Sequence, residues 1–179
     1  STLLNTLTAS DIYAQDQLFA TLDPTTRHLS LPDKQEAILT DTVGFIQRLP
    51  HQLVSAFKST LEEVAEADLL LHVVDVSHST YKKQMDAVYE VLKEIGASDK
   101  EIITVYNKID KVAPESGLLE RIKDEENCVL VSAKKGIGMD VLLDLIVDNL
   151  SLNSVETELL IHYADTDKAA KLHKVSTVL

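Results

Sequence analysis

The sequence predicts an α/β fold with a mainly parallel central sheet and helices on both faces. Helical and strand-like segments alternate along the chain, as in βαβ units. The run DLLLHVVDV, residues 68–76, is continuously apolar between its acidic positions, as suits a strand buried on both faces. EIITVYNK and CVLVSA are similar runs further along, each preceded by a helix-like segment.

Taken in order, residues 1–8 read as the first turns of a helix. Residues 11–26 are polar, contain Pro24 and three threonines, and read as a loop. Short strands are expected around residues 28–31 and 36–40. Leu53, Phe57, Leu61 and Val64 recur at helical spacing after Pro50, which predicts an amphipathic helix. A buried strand follows at 68–76, then a helix over 81–95 closed by Gly96. The next strand is 101–108, followed by a short helix over 118–124. CVLVSA, 128–133, is the last central strand, and 141–150 the closing helix. The polar stretch SLNSVET reads as a linker. Residues 158–163 then read as a strand leaving the domain, and 167–175 as a helix. This divides the chain into a main domain, 1–150, and the start of a second, 151–179.

Of the 179 residues 45% are apolar, enough for a core, yet no stretch approaches the ~20 apolar residues of a membrane span. No signal peptide is visible. The single cysteine, Cys128, rules out a disulfide framework and reads as a small core residue. A cytoplasmic protein without stable membrane insertion is expected. The net charge of −12 argues against DNA as a partner, because phosphate binding needs basic patches.

Four short motifs stand in a fixed order. The first is STLLN. Ser1 fits the hydroxyl that follows a phosphate-binding Gly-rich turn and binds Mg²⁺; on its own it also fits a helix N-cap. The second is DTVGF, an Asp-x-x-Gly pattern at a strand end. There Asp41 would hold Mg²⁺ through water and the Gly44 N–H would meet a γ-phosphate; a plain strand-ending turn fits equally.

The third motif, NKID, is the most specific. A carboxylate such as Asp110 can accept from both N1–H and N2–H of guanine. Adenine offers no such donor pair and would leave the carboxylate desolvated and unpaired. The stem of Lys108 can cover a base face, and Asn107 can tie the base edge to the phosphate loop. The fourth is SAK, Ser132 to Lys134, where the Ala133 N–H could donate to guanine O6. GTP or GDP with Mg²⁺ is therefore the expected ligand set.

Together these motifs resemble the P-loop GTPase superfamily and, within it, the HflX family of ribosome-associated GTPases. The resemblance rests on STLLN, DQLFATLDPTTR, DTVGFIQRLPHQLVSAFKSTLEEV, ADLLLHVVDVS, NKID and SAK, and covers roughly residues 1–150. It implies a three-layer fold whose first strand, P-loop glycines and lysine would precede Ser1, in a longer natural protein. ELLIHY resembles the start of that family's small C-terminal domain.

The resemblance also makes Thr21 the switch threonine that senses the γ-phosphate and Mg²⁺, with Thr25 and Thr26 as nearby rivals. Phe45 follows the switch glycine, where many GTPases carry a water-orienting glutamine. A phenyl ring cannot orient water, so intrinsic hydrolysis is expected to be slow. The implied partner is the large ribosomal subunit, in ribosome rescue or splitting. A nucleotide-dependent interaction module with negligible turnover, or a GTPase of ribosome assembly or RNA modification, are the alternatives. The acidic charge suits a ribosomal partner poorly, and the family's additional N-terminal domain would supply the RNA contacts. The six histidines form no ligand spacing, so no metal beyond Mg²⁺ is expected. His72 reads as a satisfied core histidine.

Overall fold

The computed structural model describes residues 2–8, 25–33, 35–42, 63–151, 158 and 160–161. The elements are α1 (Thr2–Thr8), β1 (Thr25–Ser30), β2 (Glu36–Asp41), β3 (Leu69–Asp75), α2 (Tyr81–Glu94), β4 (Glu101–Asn107), α3 (Leu118–Ile122), β5 (Cys128–Leu130) and α4 (Met139–Ser151). Residues 63–66 are helical; the rest of the amphipathic helix expected after Pro50 lies outside the described residues.

Two sheets organise the described strands. β1 and β2 pair antiparallel, with Thr25 opposite Asp41 and Ser30 opposite Glu36. β3, β4 and β5 form a parallel sheet in that order, with Asp75 in register with Asn107. Parallel register brings the carboxyl ends of these strands to one edge, where open α/β sheets hold ligands.

Period-two alternation along β4 decides which layer each side chain joins. Ile103 and Val105 point into a core with Leu3, Leu29, Leu31, Val129, Leu142 and Ile146, so α1, α4 and the β1–β2 pair share one face. Tyr106 joins Val74, Val76, Tyr81 and Ile122 under α2 and α3. Ile103, Val105 and Leu142 are fully buried, each burial contributing about 1.5–3 kcal/mol. On α2, Tyr81, Met85, Val88 and Leu92 follow helical spacing and all face the sheet.

Several expectations change. β1 starts at Thr25, inside the expected loop, because its ladder with β2 extends to Asp41. β5 spans three residues, since beyond Leu130 the chain turns and Ser132 bridges to Ile137. β3 is less buried than its apolar run suggests: Val73 is 47% exposed, and among the described residues β3 has a ladder only with β4. His72 packs edge-on against Tyr89 at 5.3 Å, but its buried Nδ1 has no hydrogen-bond partner. It is therefore a partly buried histidine whose Nδ1 is unsatisfied, unlike the satisfied core histidine expected, and burial lowers its pKa from the usual 6.5. Glu158, Leu160 and Ile161 lie in no strand and are exposed, unlike the strand expected there. Ser151, expected to open the linker SLNSVET, instead ends α4; the rest of that linker, 152–157, and the helix over 167–175 fall outside the described residues.

Candidate functional site

The parallel sheet delivers three chain segments to its carboxyl edge: Asp75–Ser77, Asn107–Lys111 and Val131–Lys135. Hydrogen bonds knit them together. The Val76 N–H donates to the Asn107 carbonyl at 3.1 Å, the Val131 N–H to Tyr106 at 2.9 Å, and the Ile109 N–H to Val131 at 3.3 Å.

Asn107 ends β4, and its side-chain oxygen accepts from two backbone donors, the Lys108 N–H at 2.7 Å and the Ala133 N–H at 3.1 Å. One amide thus clamps the two candidate base loops to each other. Lys108 takes left-handed backbone angles, φ 65° and ψ 32°, a conformation that costs a non-glycine residue about 1–2 kcal/mol. Non-glycine residues held there cluster at ligand sites, and the Asn107 bond to its N–H offsets part of the cost. The Lys108 ammonium lies 2.7 Å from Asp75 Oδ2.

Asp110 sits in a single 3-10 turn, Ile109–Lys111. The Ser132 hydroxyl donates to its Oδ1 at 2.6 Å. That bond, against a smaller effect of burial and with help from Lys135 and Lys111, holds the carboxyl below its usual 3.8. Asp110 is therefore ionised at neutral pH and able to accept from a ligand. Ser132 is wholly buried and fixed by its loop: its N–H donates to Ile137, while its carbonyl accepts from Lys135 and Ile137. From there its hydroxyl reaches Asp110. Lys134 is exposed.

Two of the expected base contacts already have partners within this edge. The Asn107 side-chain oxygen, expected to tie the base edge to the phosphate loop, accepts from Lys108 and Ala133. The Ala133 N–H, cast as the donor to guanine O6, is engaged by Asn107, so a base carbonyl would share or replace that acceptor.

The phosphate end is less fully described. Ser1, Thr21, Gly44 and Phe45 lie outside the described residues. Asp41 closes β2 and is partly buried. A single carboxylate at a strand end fits the chemistry of Mg²⁺, which keeps several waters and is completed by substrate phosphates rather than by a protein cage. Bound there, the ion would neutralise phosphate charge.

Three residues at this edge carried no motif. Thr6 of α1 donates to the Ala133 carbonyl at 2.9 Å across 127 positions of sequence, linking the helix after Ser1 to the SAK loop. Asp75 lies in a run expected to be a buried strand and in the resembling stretch ADLLLHVVDVS, with no site role attached. Tyr106 donates to Glu125 at 2.5 Å behind the sheet edge; burial first, and then the Glu125 carboxylate, push its phenol pKa up. Strand register, which brings Asp75 beside Asn107, was the one signal for Asp75.

A family model described as 50S ribosome-binding GTPase matches residues 1–108. GTPase HflX of Lacrimispora saccharolytica is 49% identical over 179 residues, all of this chain and 42% of the relative. The Escherichia coli protein of the same name is 46% identical over 154 residues, 84% of this chain and 36% of the relative. The chain thus spans about two fifths of the length of the relatives it matches. Among solved structures, SsGBP in complex with GDP superposes with a TM-score of 0.66 at 30% identity, over 87% of this chain and 47% of that one. Nucleolar GTP-binding protein 1 from Plasmodium falciparum shares the fold, with a TM-score of 0.56 at 17% identity over 97% of this chain and 85% of that one. The family match ends at Lys108, whereas the HflX of Lacrimispora matches through the Asp110–Ser132 pair to the end of the chain. By sequence, the chain belongs to the HflX family of GTPases.

Proposed function

We propose that this chain carries the guanine-nucleotide site of a GTPase that hydrolyses GTP to GDP and phosphate on the large ribosomal subunit. The observation that carries the reading is the convergence of Asn107, Asp110, Ser132 and Ala133 at the carboxyl edge of one sheet, with Asp110 ionised and oriented. Asp110 would accept from guanine N1–H and N2–H, and Lys108 would cover one face of the ring. Ala133 would offer its N–H to O6, in exchange or in common with Asn107. Asp41, with Ser1 and Thr21, would hold Mg²⁺, and Gly44 would meet the γ-phosphate. Phe45 cannot orient water, so turnover would be slow until the ribosome supplies the missing positioning. Ribosome rescue or splitting in the cytoplasm is the role the family resemblance supports. Among the described residues no helix is long and apolar enough to cross a membrane.

The test is equilibrium binding of fluorescent GDP and ATP with Mg²⁺ to the full-length protein, followed by single-turnover hydrolysis with and without large subunits. Tight GDP binding, no ATP binding and ribosome-stimulated hydrolysis are expected. Equal affinity for the two nucleotides would refute the base site. Hydrolysis unmoved by ribosomes would favour the interaction module that Phe45 makes conceivable.

A further inference from the structure

We propose that Asp75 is a positioning residue for the base site, holding the Lys108 side chain in the pose that covers the nucleotide base; this rests on the guanine-site reading above. Asp75 ends β3 in register with Asn107, so the parallel ladder sets it one strand away from the NKID loop. One carboxylate oxygen meets the Lys108 ammonium at 2.7 Å. The other accepts from the Ser77 N–H at 3.1 Å and the Ser77 hydroxyl at 2.6 Å. The carboxylate is thus tethered on both sides: Ser77 fixes its rotation, and Lys108 reaches to it. At the other end of the same lysine, the Asn107 side chain fixes the backbone through the Lys108 N–H.

A lysine stem is flexible and loses much rotamer freedom when pinned. A stem already fixed at both ends does not have to be ordered when a base arrives, and such preorganisation appears as affinity. Burial alone would raise the Asp75 pKa, but the Lys108 and Ser77 hydrogen bonds and the lysine charge outweigh it and lower it. The carboxylate is therefore charged wherever the nucleotide site works. The pair is about a third exposed on each side, which limits its effect. Asp75→Asn, which preserves shape and the Ser77 contact, should weaken GDP binding about two- to fivefold, with partial masking at high salt.

The experiment is a double-mutant cycle in the full-length protein: wild type, Asp75→Asn, Lys108→Met and the double variant. GDP affinity and urea midpoint are measured for each. The proposal requires the Asp75→Asn loss in the wild-type background and its disappearance when Lys108 is already Met. The same fold loss in both backgrounds would assign Asp75 a general structural role and overturn the proposal. So would GDP binding to Asp75→Asn equal to that of a wild type that binds GDP, with the base site itself left standing. A wild-type protein that does not bind GDP would overturn the base-site reading and this inference with it.

Discussion

Gly138 joins the SAK loop to α4, and replacing it tests whether that loop is held as described. Its φ is +73°, and a Cβ built there would lie 2.4 Å from the Leu130 carbonyl oxygen. The obstacle is backbone of β5, so no side-chain rotation relieves it. Left-handed angles cost a non-glycine residue about 1–2 kcal/mol, and an intruding carbon adds about 1–3 kcal/mol through displaced neighbours. Gly138→Ala should therefore destabilise the domain by about 2–5 kcal/mol. Gly136 supplies the internal control. It has φ +67°, but its added Cβ would meet nothing within 4 Å, so Gly136→Ala should cost only the conformational part, about 1–2 kcal/mol. Urea denaturation of the two variants under identical conditions isolates the steric difference. The Gly138 variant should also lose GDP affinity, because the shift displaces Ser132, which bridges to Ile137 next door. Equal midpoints for the two alanine variants would refute the described approach of this loop to β5.

Two further outcomes follow from named groups. His72 has its pKa lowered from 6.5 by burial, so the unfolded chain takes up its proton more readily. Its neutral form contributes stability that is complete above pH 6.5 and is lost as pH falls toward the lower folded value; His72→Phe should flatten that part of a stability–pH curve, and an unchanged curve would contradict its burial. Thr6→Val removes the donor to the Ala133 carbonyl and should cost about 1 kcal/mol, together with faster GDP release; an unaltered release rate would mean that α1 does not steady the SAK loop.

Most of the sheet was legible because its cause is local. Residues 69–75, 101–107 and 128–130 are apolar runs bounded by turns, and a parallel sheet covered by helices demands such runs. NKID and SAK were legible as a candidate base site because a guanine donor pair would select a carboxylate at a fixed place. What escaped was long-range. Asp75 matters through its register with Asn107, and a strand's own sequence does not state its register. The Ser132 hydroxyl also supports Asp110, which requires knowing that a turn folds it back across 22 positions. The exposure of Val73 and the orphan nitrogen of His72 depend on what covers β3, which apolar periodicity alone does not reveal.

The most direct test of the central claim exchanges the base specificity. Asp110→Asn replaces the acceptor for guanine N1–H and N2–H by an amide that can donate to the additional carbonyl of xanthine. Affinities for GDP and xanthosine diphosphate are measured side by side in the full-length protein. The account predicts that the variant loses GDP binding and gains xanthosine diphosphate binding. A variant that holds GDP as tightly as the wild type would contradict it, and Asp110 would not be the residue that reads the base.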